Sequence, residues 1–288
     1  MYHYQPFDLV CALVAVVLAG LCWGAPPALG DEHSPKRERQ LSRMETVQAL
    51  AQADVVYLGE THAQPQDHRD ELAIIQALAR QRDRLTIAME MFQQPFQDAL
   101  DRYLAGDISD TELRERSEYE QRWGFPWQYY APILRFARSR ALPAIALNAP
   151  TEAARQVARQ GLASLSSAEW RCLPPPSQMQ LGPPEYRRAI RQVYRDPPRS
   201  RQRQGFERFW ATQILWDETM AQRIARLHRQ NRDRAIVVLA GKGHVACGYG
   251  IPQRVARRVE GLRQRTVLLG GASAVPFEQC DPVADFVW

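Results

Sequence analysis

The chain has 288 residues, 45% of them hydrophobic, which is enough for one large domain or two small ones. Its formal charge of +5 comes almost wholly from arginine, since Lys36 and Lys242 are the only lysines. Basic and acidic residues interleave, and no stripe combines basic with aromatic side chains. This composition argues against a nucleic-acid partner.

The first 30 residues are typical of a targeting segment. Residues 9–23, LVCALVAVVLAGLCW, carry no charge, and a possible cleavage site with Ala28 and Gly30 follows. The run is short for a membrane span and suits the apolar part of a signal peptide. We therefore expect residues 1–30 to be a signal peptide or an N-terminal anchor that attaches to the membrane through residues 9–23. The expected location is the periplasm or cell envelope.

Three cysteines remain after this leader: Cys172, Cys247 and Cys280. An odd number without Cys-x-x-Cys spacing gives no metal site and allows at most one disulfide, although export would permit it. We expect three unpaired thiols.

Apolar runs alternate with segments of helical periodicity along the rest of the chain. Strands are predicted at 55–58, 85–91, 144–148, 235–241 and 266–271, with an edge strand at 284–288. Helices are predicted at 37–53, 65–79, 95–104, 111–122, 129–140, 185–194, 205–230 and 251–259. Continuous apolar strands alternating with helices predict an α/β fold, with a mostly parallel central sheet and helices on both faces.

We expect residues 31–288 to form a single domain. Residues 161–203 interrupt the alternation and are rich in proline and arginine. They predict a helical insertion or lid whose charged side chains face solvent.

Polar residues follow the predicted strands where each one ends. Glu60 and His62 follow the first strand, Glu90 ends the second, Asn148 ends the third and His244 follows the fourth. Ligands bind outside the carboxyl ends of the strands in open parallel sheets, so these side chains are expected to share one edge. The sequence therefore predicts a polar site there.

Other helical residues are candidates for the same site. His68 falls in the first turn of the helix after His62 and can point back over the strand ends or lie at the surface. Gln213 and Asp217 fall within the apolar stripe of the long helix 205–230, where unpartnered polar groups cost free energy. They either bind backbone groups or, with Asn148, orient a site histidine.

Familiar catalytic motifs are absent or incomplete. The stretch GKGHVA matches G-x-G-x-x-A but lies at the fourth strand, where a dinucleotide fingerprint is not expected. There is no P-loop and no G-x-S-x-G serine elbow.

Several motifs together resemble a known family. GETH at 59–62, EMF at 90–92 and GKGH at 241–244 occur in order with WQYYAPILRFAR, ALNAP and QILWDETMA. The set resembles the ChaN haem-binding family, within the Tiki and erythromycin-esterase-like superfamily, from about Ala53 to the C-terminus. The resemblance implies an α/β sandwich, export, and haem bound through a tyrosine in a pocket at a homodimer interface. Its tyrosine candidates, placed by region only, are Tyr119, Tyr129, Tyr130 and Tyr186.

Three functional hypotheses follow. The first is an envelope haem-binding protein for iron or haem acquisition or handling. Its slot is lined by aromatic residues between 123 and 130, and its cofactor-binding residues are His62, His68, Tyr129, Tyr130 and His244.

The second is a metal-dependent hydrolase, because Tiki-like relatives use two G-x-x-H motifs and a glutamate. His62, Glu90 and His244 would bind a divalent metal ion, and Glu60 and His62 would be catalytic, with Glu60 as general base.

The third is a non-catalytic envelope scaffold, which binds neither haem nor metal.

Overall fold

A computed structural model describes residues 42–171, 173–194, 205–271 and 280–288. The described residues do not include the predicted leader, Cys172 or the end of the predicted insertion. The signal peptide or anchor therefore stays a prediction. Within the described ranges, no helix combines the length and apolar character that a membrane span requires.

Six parallel strands form one sheet, in the order β3-β2-β4-β1-β5-β6. The strands are β1 Val55–Glu60, β2 Leu85–Gln93, β3 Ala144–Asn148, β4 Ala235–Gly241, β5 Gln264–Leu268 and β6 Phe286–Val287. β1 and β4 lie side by side in the middle, with Glu60 opposite Gly241. The α/β prediction is confirmed, and the carboxyl ends of the strands share one edge.

Twelve α-helices are present in the described residues. Those before β4 are α1 Arg43–Leu50, α2 Pro65–Gln81, α3 Gln97–Ala105, α4 Asp110–Arg116, α5 Tyr119–Arg122, α6 Trp127–Ser139, α7 Thr151–Gln160, α8 Ser167–Trp170, α9 Pro184–Tyr194 and α10 Phe206–Gln230. α11 Lys242–Val245 and α12 Ile251–Arg258 follow β4.

Two hydrophobic cores cover the two faces of the sheet, because alternate strand residues point to opposite sides. Val56, Leu58, Met89 and Leu239 pack with residues of α1, α2, α3 and α6 on one face. Val55, Tyr57, Val238 and Ala240 pack with α9, α10 and α12 on the other. Burial on both faces explains why the strands are continuous apolar runs.

Some local predictions were wrong. The helix predicted at 111–122 is divided into α4 and α5, because Glu118 adopts a left-handed conformation with φ 50°. The buried face of α2 includes the polar residues His68 and Glu71, while Leu72 is only half-buried. Contacts with the strand ends fix this face, and helical periodicity alone does not reveal them.

The expectation of three unpaired thiols was also wrong. Cys247 and Cys280, 33 positions apart in sequence, form a disulfide with their Cα atoms 5.9 Å apart. The pairing joins the segment after β4 to the C-terminal segment, where the main-chain N–H of Cys247 also donates to the carbonyl of Val283 at 2.7 Å.

Candidate functional site

Glu60, the last residue of β1, holds His62 in place. Oε1 of this buried carboxylate lies 2.5 Å from Nδ1 of His62 and accepts a hydrogen bond of 2.7 Å from the hydroxyl of Tyr130 on α6. Burial raises the pKa of Glu60, but hydrogen bonds from His62 and His68 outweigh it and lower the pKa to about 2. A carboxylate on Nδ1 fixes the ring and leaves Nε2 for a ligand.

His68 joins Glu60 to a second buried carboxylate. Its Nδ1 lies 3.1 Å from Oε2 of both Glu60 and Glu71, and its Nε2 lies 3.1 Å from the carbonyl oxygen of His62. Burial lowers the pKa of His68, but the two carboxylates raise it overall to about 10. Burial and the charge of Glu60 raise the pKa of Glu71 well above its ordinary value. Glu60, His62, His68 and Glu71 are named here the histidine–carboxylate cluster.

His62 also approaches the end of β4. A Cβ atom placed on Gly241 would lie 2.8 Å from Nε2 of His62 and 3.8 Å from Oε2 of Glu90. The Gly241 N–H donates to Oε2 of Glu90 at 2.8 Å, and Oε1 of Glu90 lies 3.4 Å from Nε2 of His244. Because Gly241 has no side chain, the His62 ring can lie close to the end of β4, beside Glu90.

Two side chains of the long helix α10 contact Nδ1 of His244. Nδ1 of His244 lies 2.6 Å from Oδ1 of Asp217 and 3.0 Å from the amide nitrogen of Gln213. Tyr186 of α9 donates to Oδ2 of Asp217 at 2.8 Å. Burial lowers the pKa of His244, whereas Glu90 and Asp217 raise it overall to about 10. Asn148, at the end of β3, donates from its amide to the main-chain oxygen of Glu90 at 3.1 Å.

Aromatic side chains border this site on the α6 side. The His62 ring lies 4.8 Å from Trp123 and 5.0 Å from Phe125, between ring centroids. Tyr129 stacks on His68 at 4.7 Å. A recess of about 570 Å³ adjoins them, and its lining includes Phe125 and Trp127.

The structure brings most of the predicted site residues to one edge. Of the tyrosine candidates, Tyr119, Tyr130 and Tyr186 are buried and Tyr129 is half-buried. Glu60 contacts His62, His68 and Tyr130, which fits a group that positions His62, and its role as general base stays a prediction. The predicted metal set of His62, Glu90 and His244 likewise stays a prediction. Among the described residues, the trio whose donor atoms lie within 4.8 Å of one another is Glu60, His68 and Glu71.

Sequence reasoning missed Glu71 and Lys242. Glu71 lies three residues after His68 on α2, and this spacing places both on one helix face. Lys242 is buried with its Nζ 3.9 Å from Oδ2 of Asp67, and burial lowers its pKa. A carboxylate one turn from a histidine was a usable sign, whereas the contact between Lys242 and Asp67 is visible only in three dimensions.

The fold and site define an α/β protein with histidines and carboxylates at the strand ends. The family model described as haem-binding uptake, Tiki superfamily, ChaN matches residues 46–255, most of the chain. The chain therefore belongs to the ChaN family of the Tiki superfamily. A comparison with curated proteins found no match.

Solved structures show the same architecture. The structure described as cofacial heme binding to ChaN of Campylobacter jejuni is 17% identical, with a TM-score of 0.63 over 81% of this chain and 87% of that one. An erythromycin esterase, EreC, in its open conformation is 18% identical, with a TM-score of 0.47 over 78% and 72%. The first likeness shows that the two proteins share a fold.

Proposed function

We propose that this protein binds haem on the aromatic side of the site, between α6 and the segment 123–127. Membership of the ChaN family and the likeness to the Campylobacter jejuni structure support haem as the ligand. Ferric haem offers an iron for axial protein ligands and propionates that pair with basic groups.

The recess beside α6 fits a flat apolar ligand with an acidic edge. Phe125, Trp127 and two prolines supply apolar surface, while Arg114 and Arg135 supply positive charge. Both arginines already pair with carboxylates, Arg114 with Glu120 and Arg135 with Asp110. Propionates would therefore have to compete with these pairs. A volume of about 570 Å³ is within the usual range for ligand sites.

Tyr129 carries the proposal as the iron ligand. Its phenol makes no hydrogen bond to another residue that the structure describes, and its ring is half-exposed and stacked on His68. On α6, Tyr129 is next in sequence to Gln128, which lines the recess. Tyr130 fits less well, since its hydroxyl is buried and donates to Glu60. Tyr129 thus combines a half-exposed phenol with a position on α6 next to a residue that lines the recess, although its own side chain is not part of the lining.

The test is a haemin titration of the full-length protein, followed at the Soret band. Wild type should bind with a shifted band, and Tyr129→Phe should bind at least about tenfold more weakly, because a metal ligand is removed. Tyr249→Phe, a half-buried tyrosine outside the recess, is the control and should bind like wild type. Equal affinity in all three proteins would remove Tyr129 from the site, and no binding by wild type would overturn the function.

We also propose that the protein is exported to the cell envelope for haem or iron handling. The disulfide between Cys247 and Cys280 supports export, because such bonds persist in oxidising compartments. The apolar leader supports it too, either cleaved or kept as a membrane anchor. A homodimer is part of this proposal through the family resemblance. Fractionation of cells expressing the full chain tests the location, and sedimentation with and without haemin tests the dimer.

The inner part of the site favours a second function, a metal-dependent hydrolase. Nε2 of His62 and Oε2 of Glu90 both lie near Gly241, Oε1 of Glu90 lies 3.4 Å from Nε2 of His244, and carboxylates contact both rings at Nδ1. Two imidazoles and a carboxylate suit a zinc-like ion, which would supply a Lewis acid for hydrolysis.

Metal analysis separates this second function from haem binding. If it is correct, purified wild type should retain a divalent ion, and Glu90→Gln should lose it while still binding haemin. Absence of metal from wild type after growth with added zinc would count against the hydrolase. Absence of both metal and haem would leave the scaffold hypothesis.

A further inference from the structure

A second recess, lined by arginines, lies between α10, α12 and the segment 177–180. Its volume is about 350 Å³, and its lining includes Arg226 and Arg229 of α10 and Arg257 and Arg258 of α12. Three glutamines and one serine complete it. It shares no lining residue with the recess beside α6. The haem proposal therefore leaves it unexplained.

One buried carboxylate, Glu218 of α10, neutralises part of this charge. Its oxygens lie 2.9 Å from Nη2 of Arg257, 2.6 Å from Nη2 of Arg258 and 3.2 Å from Nε of Arg254. Oδ2 of Asp217 also lies 3.9 Å from Nη1 of Arg254, so two carboxylates face three guanidinium groups. Positive charge remains in excess even before the two arginines of α10 are considered.

Arg226 and Arg229 have no carboxylate partner among the described residues. Arg229 donates from Nη2 to the main-chain oxygen of Arg258 at 2.8 Å, and Arg226 makes no hydrogen bond or ion pair within the described ranges. Their spacing of three residues places both on one side of α10. Single exposed arginines usually only contact water. These two, however, share a recess with arginines whose positive charge Glu218 neutralises only in part.

The rim of the recess is already held in place. Arg257 donates from Nη1 to Oε1 of Gln180 at 2.5 Å and from Nη2 to the carbonyl of Gln178 at 3.1 Å. Arg254 donates to the carbonyl of Gln180 at 3.0 Å. Little ordering of the segment 177–180 would therefore be needed when a ligand binds.

We propose that this recess binds a phosphoryl group, with Arg226 and Arg229 as its principal donors. A guanidinium presents paired N–H donors that match phosphate oxygens. Two arginines without a carboxylate partner in the described part of the chain, and the surplus charge around Glu218, favour a dianion over a single carboxylate. Ser177 and Gln222, also in the lining, supply neutral hydrogen-bonding groups. The ligand is either a free phosphorylated molecule or a phospholipid headgroup.

The first test uses inorganic phosphate and the full-length protein, with calorimetry at constant ionic strength. Wild type should bind phosphate, and the double variant Arg226→Gln/Arg229→Gln should bind at least about tenfold more weakly, because two charge-assisted contacts are lost. The control Arg84→Gln/Arg265→Gln removes the same charge at exposed positions and should bind like wild type. Absence of binding by wild type, or equal binding by both double variants, would overturn the proposal.

Vesicles distinguish the two sources of the phosphoryl group. The same proteins are floated with vesicles of equal parts phosphatidylglycerol and phosphatidylcholine, and with phosphatidylcholine alone. Capture on the mixed vesicles that falls only in the Arg226→Gln/Arg229→Gln variant would support the proposal with a lipid source. Phosphate binding in solution together with equal capture of both double variants would support it with a free ligand.

Discussion

Two groups of charged residues, the histidine–carboxylate cluster and the arginines around Glu218, differ in whether their charge can change. The histidine–carboxylate cluster is built from side chains that gain or lose protons, and it leaves Nε2 of His62 directed towards Gly241 and Glu90. The group around Glu218 consists of arginines, which stay charged at all ordinary pH values. Asp217 and Glu218 are adjacent on α10, yet one contacts His244 and the other faces the arginines.

This difference indicates two kinds of task. Groups that titrate can adjust to a bound metal or haem, since the protonation of each depends on its neighbours. Permanently charged groups hold neighbouring elements together and attract anions. Here they attach α12 and the segment 177–180 to α10.

Replacing Glu218 should cause the largest loss of stability. Glu218→Gln leaves three arginines facing one another, and removal of one partner from a buried ion pair costs about 3–5 kcal/mol. Urea denaturation measures the free energy of unfolding. Glu207→Gln, whose exposed carboxylate pairs with Arg187, is the control and should cost less than about 1 kcal/mol. Similar losses in both variants would contradict the importance of the buried group.

Alkaline pH should lower the stability that the site histidines contribute, whereas the arginines stay charged. The pKa of both His68 and His244 is raised to about 10, so their stabilisation is complete below about pH 6.5 and is lost as pH rises through 10. The pKa of Glu60 is lowered to about 2, so its contribution is present above pH 4.5 and is lost as pH falls towards 2. Denaturation midpoints across pH measure both effects. Unchanged stability from pH 6.5 to 10 would contradict the assigned contacts.

Gly241→Ala should disturb the site more than the fold. The new Cβ would lie 2.8 Å from Nε2 of His62, so that ring must move. The expected cost in stability is about 1–2 kcal/mol, with weaker retention of any metal bound by His62. Gly243→Ala is a matched control, since a Cβ there meets nothing within 4 Å. Equal behaviour of the two variants in metal analysis and denaturation would place the ligand away from His62.

Glu71→Gln should have the smallest effect. Burial and Glu60 raise the pKa of Glu71 well above its ordinary value, which favours the protonated carboxyl group, and glutamine resembles that form in shape and charge. We expect a change below about 1 kcal/mol in urea denaturation at pH 7. Glu60→Gln, which removes an ionised group, should cost clearly more. A larger loss for Glu71→Gln than for Glu60→Gln would contradict the opposite directions of the two pKa shifts.

The general arrangement of the fold and site was predictable from sequence. Continuous apolar strands alternating with helices define a parallel sheet, and Glu60, Glu90 and His244 follow from where those strands end. Gln213 and Asp217 stood out because they interrupt an apolar stripe, and the structure places both against His244.

The rest depended on contacts between distant segments. The disulfide joins cysteines 33 positions apart without a recognisable spacing. Glu218 lies one residue after Asp217 on the long helix, and only the approach of α12 shows that it is buried. The predicted insertion also contributes Tyr186 to the buried site, which its dense arginines did not indicate. Helix position can be inferred from periodicity, whereas the partner of a buried charge cannot.

The most direct test of the account is the identity of the iron ligand in the complex of the full-length protein with ferric haem. Resonance Raman and electron paramagnetic resonance spectra should show a high-spin haem with phenolate ligation, and this signature should disappear in Tyr129→Phe. A low-spin spectrum typical of two imidazole ligands, unchanged in Tyr129→Phe, would contradict the account.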